Sequence, residues 1–226
     1  MNDKSNIWYF EDTDLFEVLC PTKTPGMEDK HEPNVFKKDE YIYFPDGPSD
    51  KVYMISSGRV KVGTFTSDGK EIVKAILAKG ELFGELALTG EGKREDFAVA
   101  MEDDTRVCPM TTDDMQHLMK DNQTLSFKIL KIIGFRLKKV ERKIESLVFK
   151  DARTRIVDFL REMAEERGQK VGFETMIKNH FTHKDIASLT GTSRQTVTTI
   201  LNELRDSNII NFDRRKILIR DMEKLV

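Results

Sequence analysis

Cysteine is almost missing from this chain of 226 residues: Cys20 and Cys108 are the only two, far apart and outside any CxxC. That excludes a disulfide framework, and also a cysteine-ligated iron–sulfur cluster, which needs about four thiolates. Histidine is nearly as scarce, with four in all and none in the strand-like runs KVYMI, RVKV and EIVKAIL. A metal site in a barrel needs clustered His and carboxylates on neighbouring strands, so metalloenzyme chemistry is not expected. GxSxG, HExxH and the phosphate-loop pattern are all missing, and with them three common routes to an enzyme. No apolar run reaches the roughly 18 to 20 residues that span a bilayer. The opening MNDKSNIWYFEDTD has no apolar signal core, so a cytoplasmic protein without a membrane partner is expected.

Net charge is small, with 37 Lys and Arg against 39 Asp and Glu, but it is unevenly spread. From Lys150 onward there are 15 basic and 12 acidic residues, a surplus of three, which leaves a deficit of five for residues 1–149. The length suits two domains, and only the C-terminal one leans toward nucleic acid.

What stands out is FTHKDIASLTGTSRQTVTTILNEL, Phe181 to Leu204. Thr182 is a hydroxyl N-cap with Asp185 three residues on, so a helix should begin there. Gly191 tolerates positive φ and should end it, with Thr192 or Ser193 capping a second helix. On that helix Val197, Ile200, Leu201 and Leu204 form one apolar stripe. Gln195, Thr198, Thr199 and Asn202 repeat the spacing about 200° around the axis. An ordinary surface helix would carry Glu and Lys there; amides and hydroxyls suit base edges instead, and Arg194 suits guanine O6 and N7. Small Ala187 lets the two helices approach closely, as in a helix-turn-helix. Beyond Leu204, IINFDRRKILIR reads as a hairpin with Asp213, Arg214, Arg215 and Lys216 at its tip. That tip is either a wing that touches phosphates or a plain solvated turn.

The N-terminal part has a different rhythm. Gly47, Gly58, Gly69 and Gly80 recur every eleven residues between β-prone runs, which predicts an antiparallel sandwich or barrel. LFGELALTGEGKREDFAVA breaks the pattern: GELAL predicts a short helix before FAVA resumes the sheet. Such an insertion is either a ligand cassette or a connecting loop. Between the domains, Leu130, Ile133, Leu137, Val140, Ile144 and Leu147 alternate spacings of three and four, an a/d seam of about three heptads. The seam predicts a parallel dimer helix, with Gly134 allowing close approach and Arg136 placed to pair with Glu141 across it. A helix packed on its own domain is the alternative, although it would need a wider apolar face.

In this order the parts resemble the Crp/Fnr family from about Val35 to Leu225, carried by FPDGPSDKVYMISSGRVKV, DGKE, FGELAL, FKDARTRIVDFL and the reader segment. The resemblance implies an α+β protein: an antiparallel β jelly roll of the cyclic-nucleotide-binding type over about 31–111, a dimerisation helix over about 123–149, and a winged helix-turn-helix over 150–226. It also implies a homodimer on a palindromic double-stranded operator, acting with RNA polymerase. The family's recognition helix puts DNA contacts on Ser193, Arg194, Gln195 and Thr199; the face reading adds Thr182, Thr198 and Asn202. The usual pattern has Glu where this chain has Gln195 and a further Arg where it has Thr199, so a different operator is expected.

The effector pocket implied by the resemblance comprises Gly84, Glu85, Leu86, Ala87, Arg94, Glu95, Asp96, Val140 and Glu141. Gly84 and Glu85 match the glycine and the ribose-binding glutamate of cyclic-nucleotide binders. Glu95 and Asp96 stand where those binders place the phosphate-binding Arg and Ser, and carboxylates there repel a phosphate. Arg94 is a neighbouring substitute if the loop shifts. Val140 and Glu141 replace the residues that meet adenine, so cyclic AMP is disfavoured and the effector is not identified. A cyclic-nucleotide-responsive regulator, a haem-responsive one using His31 or His117, and a jelly-roll protein that binds other proteins rather than DNA are the competing readings.

Overall fold

The computed structural model describes residues 33–178, 181–213 and 216–225. The segment around Trp8, together with His31, His180, Arg214 and Arg215, lies outside the described residues. The described chain forms two compact units that divide after Ile133.

Eight strands build the first unit: β1 (Asn34–Phe36), β2 (Tyr41–Tyr43), β3 (Lys51–Ser57), β4 (Arg59–Phe65), β5 (Glu71–Ala78), β6 (Leu82–Phe83), β7 (Phe97–Ala100) and β8 (Thr105–Thr111). They pair antiparallel in two four-stranded sheets, ordered β1-β8-β3-β6 and β2-β7-β4-β5. Alternation along β4 shows why: Val60 and Val62 turn inward to Ile55, Leu77 and Phe83. Between them Lys61 turns outward to Glu71 at 2.6 Å, the period-two pattern of a half-buried strand. Gly58, Gly69 and Gly80 all adopt left-handed φ at their turns, while at the first repeat Asp46 does so in place of Gly47. GELAL becomes a single 3₁₀ turn, Glu85–Thr89.

Helix α1 (Thr112–Asp121) is capped by the Thr111 hydroxyl, which accepts from the Asp114 amide at 3.1 Å. Helix α2 (Gln123–Phe149) follows after the break at Asn122. α2 buries Leu125 and Ile129 against Val52, Met54 and Met115. Beyond that turn Ile132 still packs on this cluster, but most of the apolar side chains are bare: Leu130, Leu137, Val140 and Ile144 are 64%, 59%, 55% and 57% exposed.

The second unit contains α2 from Gly134 onward, α3 (Ala152–Arg167), β9 (Gln169–Val171), β10 (Glu174–Lys178), α4 (His183–Thr190), α5 (Arg194–Asp206), β11 (Ile210–Phe212) and β12 (Lys216–Ile219). The four strands form one antiparallel sheet, β11-β12-β10-β9. Asp151 caps α3 by accepting from the Thr154 amide at 2.7 Å. Ile156, Leu160, Ile186, Val197, Leu201 and Leu204 fill the core between α3, α4 and α5. Lys139 on α2 lies 3.6 Å from Glu162 and 3.7 Å from Glu166 of α3.

Candidate nucleic-acid interface and effector pocket

The reader is built from its caps. The Thr182 hydroxyl accepts from the Asp185 amide at 3.1 Å, and the Asp185 carboxylate accepts in return from the Thr182 amide at 2.8 Å. This reciprocal box satisfies two orphan donors at the start of α4. Thr182 also donates its hydroxyl proton to Asp185 at 2.7 Å, so this predicted DNA contact is occupied in the cap. Thr182→Ala is therefore expected to cost about 1 kcal/mol of stability with little change in DNA affinity of the folded fraction. Urea denaturation alongside a binding titration checks both.

Gly191 ends α4 in the left-handed region, φ 63° and ψ 45°. That conformation disfavours any larger residue, and a Cβ there would also come 2.5 Å from Leu147 Cδ2 on α2, so that this side chain would have to turn aside. Arg155 of α3 fastens the same turn: its guanidinium donates to the carbonyls of Thr190 at 2.8 Å, Gly191 at 3.0 Å and Lys150 at 2.6 Å. Neither this arginine nor the Leu147 contact was visible in sequence, because each joins segments that only the fold brings together.

Ser193, rather than Thr192, caps α5, accepting from the Thr196 amide at 3.0 Å. The apolar stripe is fully inside: Val197, Ile200, Leu201 and Leu204 are all buried. Arg194, Gln195 and Thr199 stand exposed on the remaining surface, and Asn202 is half-buried. Thr198 differs from the expectation. Its hydroxyl is held at 2.9 Å by the Arg194 carbonyl and at 2.8 Å by His183 Nδ1, so it ties α5 to α4. The predicted hairpin forms, with Asp213 and Lys216 closing its turn and Lys216 exposed.

In the first unit, the phosphate-site expectation needs revision. The chain from Arg94 to Asp96 alternates, so Arg94 and Asp96 are buried and Glu95 is exposed. Glu95 instead borders an outer cleft of about 670 Å³ with Asp46, Phe65 and Lys93. Only one of the two carboxylates therefore points inward, and Arg94 is inside without any loop shift. Its guanidinium donates to the Gly84 carbonyl at 3.2 Å and to the Lys51 carbonyl. It also lies 4.2 Å from the centre of the Tyr43 ring and 5.4 Å from that of Tyr53. Cation–π contact of this kind contributes up to about 2 kcal/mol when desolvated. Burial pushes the Asp96 carboxyl above its usual range, while Lys74 and Arg94 pull it back. Burial also pushes the Tyr43 phenol up. Glu85 and Ala87 sit on the 3₁₀ turn beside Gly84, and Leu86 points outward, 49% exposed. Val140 and Glu141 belong to the second unit and are exposed on α2.

A capped helix pair with a bare polar edge, followed by a hairpin and carried on the same chain as a cyclic-nucleotide-type roll, defines a DNA-binding transcription regulator rather than an enzyme. Residues 33–122 match the cyclic nucleotide-binding domain family, and residues 154–226 match the Crp-like helix-turn-helix domain family. The global nitrogen regulator of Nostoc sp. is 30% identical over 186 residues, covering 81% of this chain and 83% of the relative. The CRP-like cAMP-activated global transcriptional regulator of Mycobacterium tuberculosis is 26% identical over 211 residues, 93% and 94% of the two chains. Among solved structures, a CooA variant from Carboxydothermus hydrogenoformans superposes with a TM-score of 0.80 at 30% identity, covering 95% of this chain and 94% of that one. The chain belongs to the Crp/Fnr family of transcription regulators.

Proposed function

We propose that the protein works in the cytoplasm as a homodimer that reads a palindromic operator and acts on RNA polymerase, through a roll that does not take cyclic AMP. DNA reading is carried by one observation: α5 buries Val197, Ile200, Leu201 and Leu204 while leaving Arg194, Gln195 and Thr199 exposed. Those three offer donors and acceptors suited to base edges in the major groove. What supports the homodimer is the α2 seam, six apolar side chains from Leu130 to Leu147 that are each at least 42% exposed, since an apolar stripe of that extent marks an interface. Partnership with RNA polymerase rests on family membership.

Three features support a roll without cyclic AMP. Arg94 is turned onto backbone carbonyls and Tyr43. Asp96 is the acidic side chain buried two residues away. Glu141 stands where an adenine partner is expected. Millimolar cyclic AMP will leave thermal stability nearly unchanged, whereas a ligand at 100 times its dissociation constant adds about 2.7 kcal/mol. A marked upward shift in melting temperature with the nucleotide would overturn this part of the reading. The DNA-reading part is tested by genomic selection followed by mobility shift at low and moderate salt. Salt-sensitive binding to a palindrome is expected, and no selected sequence at all would overturn it.

A further inference from the structure

His183 opens α4 and reaches across to α5. Its Nδ1 lies 2.8 Å from the Thr198 hydroxyl, and that hydroxyl lies 2.9 Å from the Arg194 carbonyl. A carbonyl only accepts, so the single Thr198 proton goes to Arg194 and the hydroxyl must accept from Nδ1–H. The tautomer is thereby fixed: in the neutral ring Nε2 carries the lone pair. Nε2 makes no hydrogen bond among the described residues.

The surroundings decide what that nitrogen can do. His183 is half-buried at the first position of α4 and meets the Phe212 ring edge-on, 6.1 Å between centres. The charge that acts on the ring is Arg194 on α5; Lys184 and Asp185 follow His183 along α4, while Arg205 on α5 lies over Phe212 and Asp213 comes next after β11. Asp185 is bound to Thr182, and Arg205 lies 5.4 Å from the centre of the Phe212 ring. Among the described residues no carboxylate pairs with the imidazole. Burial and the Arg194 cation both hold its pKa below the usual value near 6.5. In a helix-turn-helix the first helix crosses the phosphate backbone while the second enters the groove.

We propose that His183 is a proton-linked phosphate contact: neutral in the free protein, it becomes an imidazolium when DNA brings a backbone phosphate to Nε2. The inference rests on the DNA-reading proposal above. The sign follows from the two states. In the free chain the depressed pKa means that folding sheds affinity for this proton, so protonation below about pH 6.5 works against the free fold. A phosphate reverses that balance, so the bound state takes up a proton and affinity rises as pH falls. At the limit of one proton per reader, binding strengthens about tenfold for each pH unit.

The experiment uses the full chain, its selected operator, fixed ionic strength and fluorescence anisotropy from pH 5.5 to 8.5. Wild type should bind more tightly as pH falls. His183→Asn, whose amide nitrogen takes the place of Nδ1 and keeps a donor for Thr198 without titrating, should lose the slope. Equal slopes in the two proteins would overturn the proposal, since the proton would then belong to another histidine. A uniform loss in the variant with the slope retained would also overturn it and leave His183 a positioning residue for Thr198. Imidazole NMR adds an independent readout: the His183 pKa should rise when operator is added, and an unmoved value counts against the proposal. Failure of both proteins to bind any DNA at any pH would overturn the reading of the chain as a DNA binder, a result the slope comparison keeps separate.

Discussion

Replacing Leu137 and Ile144 together by glutamate will give a folded monomer that has lost high-affinity operator binding. The side chains are 59% and 57% exposed in the single chain, so the change removes almost no packing from it. In a two-stranded seam the same positions face their copies, and four carboxylates would be driven into an apolar contact. Operator affinity falls because two linked readers bind with an effective concentration that separate readers lack, a loss of about 10²-fold to 10⁴-fold. Sedimentation should report a mass near the 26.1 kDa of one chain instead of twice that. A variant that remains dimeric, or that binds the operator as wild type does, would remove α2 as the interface.

The second large effect is expected at Arg194. It is exposed at the first position of α5, where a recognition helix meets base edges, and no core contact depends on it. Arg194→Ala should cost about 1 to 3 kcal/mol on the best operator and relax base preference at one position of each half-site. Selection of binding sites by the variant, compared with wild type, measures both. An equal loss across all sequences would make Arg194 a phosphate contact and move the specificity to Gln195 and Thr199.

The reader was legible in sequence because its determinants are local. Thr182, Asp185, Gly191 and Ser193 act within one turn of the backbone they cap, so their spacing alone announces the two helices. The α2 seam and the strands β3, β4 and β5 were legible for a similar reason: each is long enough to show its period. The β9–β10 hairpin was not, since all three β9 side chains are exposed and no alternation marks them. β1 and β2 are likewise only three residues long. At the effector pocket the reading failed where a charged residue goes inside. A position-by-position match placed Glu95 and Asp96 together, but the bend before β7 leaves Glu95 exposed, buries Asp96 and turns Arg94 inward, where two carbonyls and two aromatic rings receive it. His183 and Arg155 act across long stretches of chain, and short-range patterns carry no trace of that.

The division of labour among the reader's polar side chains bears on how such a protein changes its targets over time. Thr182, Ser193 and Thr198 spend their hydroxyls holding the two helices in shape, whereas the side chains of Arg194, Gln195 and Thr199 make no hydrogen bond or ion pair among the described residues. Mutation can therefore rewrite the second set without loosening the first. On the reading proposed above, a lineage can drift from one set of promoters to another through three codons, with the scaffold that presents them left untouched.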